Sequence, residues 1–384
     1  MGTSSMTTSL RELTIAEIGD VHLGHHNTET AHIIENLRRE FPDTDAFGEL
    51  DLFIIAGDLF DRLLDYSDPN LELIDRWMND FLAQCKRRNV IVRCLYGTPS
   101  HDWQQSANMV YANNTIGANF KYVDTLSIEY IAELGIHVLY VPDEWKHDPN
   151  DVWLDVQKAL AEHGLEKVDF TVLHGAFEHQ LPEHVPAPKH QCDRYQNITR
   201  YFVFGGHIHK RSQNGNILAA GSFDRLCHGE EEAKGHLWVK TKADGRHEIR
   251  FIENRNAKMY VSVDCSGDSL DLATDKVEQQ VLALPPGSHV RILANKTDPI
   301  ILSLNELKTK YTEHFLTTKV MDQEKGKREA VNRIITPFTP AAITPDNIFD
   351  LMMTRFKEEV HDPLYHQLAE NLLNDQKIFS SGRT

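Results

Sequence analysis

The stretch DLFIIAGD, residues 51–58, decides how the chain is read: a short apolar run rich in Ile and Phe leads directly into polar residues. The same arrangement recurs in LTIAEIGDVH (13–22), VIVRCLYG (90–97), FTVLHG (170–175) and YFVFGGHIH (201–209). Between the first of these runs lie segments of helical period, TETAHIIENLRREF (28–41) and NLELIDRWMNDFLAQCKRR (70–88). Strand, loop and helix alternate, and that order predicts an α/β layered sheet. In such sheets ligands gather beyond the carboxyl ends of the strands, where the polar residues of these runs fall.

Beyond His209 the texture becomes β-rich, in NILAAGSF (216–223) and GHLWVKTKADGRHEIRFIEN (235–254), the latter with an Ala-Asp-Gly-Arg hairpin signal. These runs suggest a second sheet closing a sandwich, which puts the main domain at 11–257. A compact α+β cap is expected over 258–323, where KMYVSVDCSG, SLDLATDKVEQQVLAL, HVRILAN and SLNELKTKYTEHF alternate strand and helix. A Pro/Thr-containing linker spans 324–344. Thr344 as N-cap, with Pro345 at the first helical position, then opens C-terminal helices over 345–377.

Composition narrows the class. With 384 residues there is room for one large domain and smaller ones. Hydrophobic residues at 41% and charged residues at 25% lie near the globular average, which argues against wholesale disorder. No apolar run is long enough to span a bilayer, and MGTSSMTTSL lacks the basic start and apolar centre of a secretory signal, so a soluble, cytoplasmic protein is expected. The five cysteines are scattered and never form a Cys-x-x-Cys pair, against a disulfide framework or a zinc ribbon. A formal charge of −17 is awkward for a protein that handles nucleic acid, because backbone affinity comes from Lys and Arg replacing counterions.

The polar clusters carry the chemistry. Asp20 and His22 stand at i and i+2, a spacing that points both side chains the same way on an extended strand end. Asp58 ends FIIAGD, His174 lies at the end of FTVLHG, and His207 and His209 repeat the i, i+2 spacing. Singly, such an Asp is usually a turn or cap residue and such a His a hydrogen-bonded structural one. Together, carboxylates and imidazoles at the ends of separate strands make a mixed N/O set suited to Mn²⁺, Fe²⁺ or Zn²⁺.

The ordered pattern Asp-x-His, Gly-Asp-x-x-Asp, a His-Asp loop, a strand-end His-Gly and Gly-His-x-His resembles the calcineurin-like metallophosphoesterase superfamily. Within it, GDVHLG, AGDLFDR, LHGAF and GGHIHK look most like the SbcD-type DNA nuclease subunit, particularly its bacteriophage recombination relatives, over roughly residues 15–221. The resemblance implies a metallophosphoesterase-type layered α/β sandwich and a dinuclear centre. Asp20, His22 and His209 would hold one metal, His174 and His207 the other, and Asp58 would bridge them. The ions would be Mn²⁺ first, with Mg²⁺, Fe²⁺ or Zn²⁺ as alternatives.

In that family a Gly-Asn-His-Asp loop supplies an asparagine ligand to the second metal and a histidine that helps the leaving oxygen depart. Here the loop reads GTPSHD (97–102). His101 and Asp102 match, Ser100 stands at the asparagine position, and Thr98-Pro99 lengthen the approach. His101 is then the candidate general acid or phosphate donor. Ser100 would be a shorter, weaker oxygen ligand, direct or through water, so that the second metal binds more weakly. Asp61, Arg62 and Asp102 suit supporting or turn roles, and Lys210 and Arg211 are candidates for phosphate contact.

The activity implied is metal-dependent exonuclease and endonuclease cleavage of DNA in recombination and repair. The family works with a coiled-coil ATPase of the SbcC type and is typically dimeric, and the C-terminal helices fit docking onto such a partner. Two other readings share these residues: a phosphatase or cyclic-nucleotide phosphodiesterase of the same superfamily, and a non-catalytic scaffold for DNA ends.

Overall fold

The computed structural model describes residues 12–143, 148–242 and 246–321. In chain order these form β1 (Leu13–Ile18), α1 (Thr30–Glu40), β2 (Leu52–Ile55), α2 (Leu71–Arg88), β3 (Ile91–Leu95), α3 (Pro99–Asp102), α4 (Asn108–Ile116), β4 (Phe120–Val123), β5 (Ser127–Ile131), β6 (Ile136–Val141) and α5 (Pro149–Glu162). There follow β7 (Val168–His174), α6 (Cys192–Ile198), β8 (Thr199–Gly206), β9 (Ser212–Asn214), β10 (Ile217–Ala219), β11 (Gly235–Thr241) and β12 (His247–Glu253). The last group is β13 (Tyr260–Asp264), α7 (Leu270–Leu282), β14 (His289–Ala294), α8 (Leu304–Lys310) and β15 (Phe315–Val320).

Two six-stranded mixed sheets, β12-β11-β1-β2-β3-β4 and β5-β6-β7-β8-β10-β9, make a layered α/β sandwich. The period-2 alternation of each strand builds the layers. Along β1 and β2, Leu13, Ile15, Leu52 and Ile54 enter the core shared with Phe170, Val172, Phe202 and Phe204 of the other sheet. Their neighbours Ala16, Ile18, Phe53 and Ile55 turn the other way, onto Ile33 and Leu37 of α1 and Trp77, Phe81 and Leu82 of α2. On the far side, Leu173 and Val203 meet Val156 of α5 and Tyr195 of α6. Strands buried on both faces explain why these runs read as nearly continuous apolar sequence.

The β-rich segments after His209 do not build the second sheet, as the sequence suggests. β11 pairs antiparallel with β1, Leu13 opposite Thr241, and β12 pairs with β11, so this hairpin extends the first sheet. Only the short β9 and β10 join the second, whose longer strands come from 127–206. The open edge of β1 determines this, and strand propensity carries no information about which edge is free.

Residues 260–320 form a parallel sheet, β13-β14-β15, with its own core of Ala273, Val277, Val281, Val290, Ile292 and Leu316. Tyr260 Oη lies 2.9 Å from Thr28 Oγ1, and Lys258 Nζ donates to Glu29 Oε2 at 2.7 Å. Both tie this α+β unit to the loop that follows His22. The linker at 324–344 and the helices at 345–377 lie outside the described residues. Among the described residues no helix is long and apolar enough to cross a membrane.

Candidate metal centre

Asp20, His22, Asp58, His174 and His207 sit at or just beyond the carboxyl ends of β1, β2, β7 and β8, with His209 two residues further on. Four of them have left-handed backbones: Asp20 (φ 51°), His22 (φ 56°), Asp58 (φ 48°) and His207 (φ 94°). The extended geometry expected for Asp20 and His22 is therefore absent. The chain coils immediately after β1, because crossed backbone hydrogen bonds hold it there. Val21 and His22 N–H both donate to the Asp58 carbonyl (2.9 and 3.0 Å), and His207 N–H donates to both Asp20 carboxylate oxygens (2.9 and 3.0 Å). Each such residue costs on the order of 1–3 kcal/mol of backbone strain, which persists where surroundings over-determine it and concentrates at functional sites.

Close approach also dictates glycine. At Gly57 (φ 91°) a Cβ would stand 2.2 Å from His174 Nδ1, and at Gly97 one would stand 2.1 Å from the Asp58 nitrogen. The strand-end Gly57 thus makes room for the His174 imidazole, and the loop Gly97 for the Asp58 backbone.

The side chains converge as three overlapping donor sets that could hold metal: Asp20, His22 and His209; Asp58, His174 and His207; and, between these, His22, Asp58 and His101. In each, the donor atoms lie within 4.8 Å of one another. Asp58 lies between the sets, its Oδ2 3.3 Å from His174 Nε2 and 3.8 Å from His22 Nε2.

Tautomers follow from what each imidazole touches. His22 Nδ1 is 3.1 Å from Asp61, His209 Nδ1 2.7 Å from Glu230, and His174 Nδ1 2.7 Å from the Ala56 carbonyl. These partners accept, so Nδ1–H donates in each case and Nε2 carries the lone pair in the neutral ring. Consequently His22 Nε2 and His209 Nε2 face each other at 3.1 Å with lone pairs opposed. A cation, or a proton on one ring, reconciles that contact. Oriented imidazoles backed by carboxylate or carbonyl are the usual support of metal ligands.

Charge completes the description. Burial works to lower the His174 pKa, but the Asp58 carboxylate beside it prevails and lifts it to about 10. Burial works to raise Asp58, and His174 with its neighbours overrides that and holds it well below the usual carboxylate range. Burial, with His174 close by, lowers His207 to about 4. Burial opposes ionisation of Glu230, yet its hydrogen bond to His209 and the nearby Lys234 bring it down to about 2. A dense knot of anions and imidazoles compensates itself by proton uptake, and a divalent cation would serve the same end.

The loop residues divide. His101 is half-buried, and its Nδ1 lies 3.1 Å from Asp58 Oδ2, a bond that raises its pKa. Asp102 is fully buried and accepts from the Phe60 and Gly97 N–H groups at 3.0 and 2.7 Å, so it pins the loop. Burial first, then the charge of Asp58, pushes its pKa to about 6.

Ser100 stands apart from the donor sets: it is exposed on α3, its carbonyl accepts from Trp103 Nε1, and it lines the cavity beside His174 and His207, while the Thr98 hydroxyl reaches the second donor set. Thr98 Oγ1 lies 3.2 Å from Asp58 Oδ2, 3.3 Å from His174 Nε2 and 3.2 Å from His207 Nδ1. Thr98, directly after Gly97, is thus the loop residue whose side-chain oxygen touches the second donor set.

Asp61 supports His22, as its turn position suggested. Arg62 is spent on the Gly24 carbonyl and Asp68, and so braces its loop. Lys210 and Arg211 are exposed, and Arg211 lies over the Phe251 ring. Glu230, which no motif marks, was missed by sequence reasoning. So was His190, which with Thr98, Pro99, Pro142, His174 and His207 lines a cavity of about 240 Å³ beside the second donor set.

No family model matches the chain, and no curated protein matches it. Among solved structures, TT1561 of Thermus thermophilus aligns over 63% of this chain and 99% of its own at 9% identity, with a TM-score of 0.36. Another aligns over the same shares at 10% identity and a TM-score of 0.38. A likeness this distant says nothing about family or activity, and the reading of the site rests on its own geometry.

Proposed function

We propose that this chain is a metal-dependent nuclease subunit that hydrolyses DNA phosphodiesters at a centre of two divalent cations, Mn²⁺ first among them, in the cytoplasm of a bacterium or infected cell. The observation that carries the proposal is the pair of neighbouring donor sets, with Asp58 of the second 3.8 Å from His22 of the first and the lone pairs of His22 and His209 opposed at 3.1 Å. Cations bound there supply Lewis acidity and charge neutralisation for in-line displacement at phosphorus.

The chain's own residues orient and protonate. Asp61, Glu230 and the Ala56 carbonyl fix three imidazoles, and Asp102 holds the loop that presents His101. With Nδ1 on Asp58, His101 directs its other nitrogen away from that carboxylate, available to protonate the departing oxygen. Affinity for DNA is a separate matter. At a net charge of −17 the subunit alone binds DNA weakly and with strong salt dependence, and a coiled-coil ATPase of the SbcC type supplies the remaining hold. A homodimer is part of the same reading.

The test is metal content and hydrolysis on the purified chain, alone and with a candidate ATPase. Retention of Mn²⁺, cleavage of linear DNA and stimulation by the ATPase support the proposal. Cleavage of a small chromogenic phosphodiester but not of DNA would move the function to the small-ester branch of the superfamily. Tight DNA binding without Mn²⁺-dependent cleavage would make it a scaffold.

A further inference from the structure

We infer that the Thr98 hydroxyl is the oxygen donor that completes the second cation site, so that the two sites fill in sequence, the Asp20–His22–His209 site first. The inference rests on the metal-centre reading above and concerns how that centre is built.

Geometry carries it. Around one point lie Thr98 Oγ1, Asp58 Oδ2, His174 Nε2 and His207 Nδ1. The hydroxyl is 3.2, 3.3 and 3.2 Å from the other three in that order, and Asp58 Oδ2 is 3.3 Å from His174 Nε2. Donors at about 2.0–2.1 Å around a tetrahedral Zn²⁺ stand roughly 3.3–3.4 Å apart. The four distances here, 3.2–3.3 Å, are compatible with donors gathered around one small cation.

With both imidazoles neutral and their lone pairs turned inward, the single hydroxyl hydrogen can serve only one of the three acceptors around it.

Local sequence explains how the hydroxyl comes to be there. Pro99 confines Thr98 to extended backbone, observed at φ −60° and ψ 125°. The Thr98 N–H donates to Asp58 Oδ1 at 2.5 Å, and the preceding Gly97 N–H donates to Asp102 Oδ2 at 2.7 Å. β-Branching restricts χ1, so the oxygen reaches the cluster with little rotamer entropy left to lose. Ser100 has none of this.

The consequence is graded loading. The first set offers a carboxylate and two imidazoles that Asp61 and Glu230 orient. The second also offers two imidazoles, but its carboxylate, Asp58, stands 3.8 Å from His22 of the first set as well, and its fourth donor is a neutral hydroxyl.

Mn²⁺ titration by calorimetry, with paramagnetic resonance to count bound ions, tests this on the wild type and on Thr98→Val, Thr98→Ser and Ser100→Ala. Expected are two separable steps in the wild type. Thr98→Val should weaken the second step roughly tenfold or more, on the scale that loss of a supporting group produces at metal sites. Thr98→Ser should retain it, Ser100→Ala should match the wild type, and the first step should be unmoved throughout. An unchanged second step in Thr98→Val overturns the role of Thr98 while leaving the metal centre standing. A wild type that binds fewer than two ions overturns the metal-centre reading itself. Thermal melts of each variant without metal separate a lost ligand from a lost fold.

Discussion

Replacing Glu230 by Gln tests the support of the first donor set most directly. Glu230 Oε1 accepts from His209 Nδ1 at 2.7 Å, and Oε2 accepts from the Leu226 N–H at 3.0 Å and lies 3.4 Å from Lys234 Nζ. A carboxyl held at about 2 in place of the ordinary 4.5 favours the ionised native state by about 3 kcal/mol. The folded value is depressed, so this stabilisation is fully present above about pH 4.5 and is lost as pH falls toward about 2. Lys234 keeps Glu232 and the His209 carbonyl, both at 2.8 Å, so Glu230→Gln should still fold. Urea melts of chelator-treated protein across that window should show the acid loss in the wild type and flatten it in the variant. Mn²⁺ affinity at the first site should drop roughly 10- to 100-fold, because the imidazole loses its orienting anion. Wild-type Mn²⁺ affinity in Glu230→Gln would refute the orienting argument, and a persisting acid limb would refute the assignment of that stability to Glu230.

Three further outcomes follow from the same geometry. His101→Asn should cut DNA hydrolysis by about 10²–10⁴ while leaving the number of bound Mn²⁺ ions unchanged. In the wild type, activity that needs the raised His101 proton should fall as pH rises through its pKa, and the variant's pH profile should lack that alkaline limb. Glu17 is buried between the sheets with neither carboxyl oxygen hydrogen-bonded, and burial first, then Asp20, raises its pKa well above the usual range. Its contribution is fully present below the unfolded carboxyl pKa and is lost as pH rises toward the folded one. Glu17→Gln should therefore stabilise metal-free protein at neutral pH by about 1–3 kcal/mol, seen as a higher urea midpoint at pH 8 and little change at pH 4. Affinity for linear DNA should fall steeply with salt for the chain alone and rise on adding the ATPase, measured by anisotropy; equal affinity with and without it would remove the partner from the binding argument.

Legibility of the fold followed the chemistry. The strands that end in a site residue, β1, β2, β7 and β8, stand out in the sequence because an apolar run meets an Asp or His at its end. β5 and β6 carry no such mark, although β6 is as apolar as its neighbours. β11 and β12 were legible as a hairpin but were assigned to the wrong sheet. Local sequence fixes that two runs pair, whereas the partner edge is decided by residues more than 200 positions away, Leu13 against Thr241.

The site was legible in its clustered Asp and His side chains and illegible in what surrounds them. Spacing placed His207 and His209 together, yet the backbone is left-handed at His207 and the two imidazoles lie in different donor sets. In GTPSHD two residues are additional, and from sequence they can stand on either side of the oxygen donor. Contacts decide it, because only an oxygen that immediately follows Gly97 inherits the backbone anchor to Asp58. Glu230 was hidden for a related reason: an acid that orients an imidazole across 21 residues leaves no period and no motif. Such supports cost the fold little that local sequence would record. The left-handed Asp20, His22, Asp58 and His207 bear the cost instead, and a chain selected for stability alone would place glycine or asparagine at such positions. Aspartate and histidine at all four make sense where the side chains have something to bind.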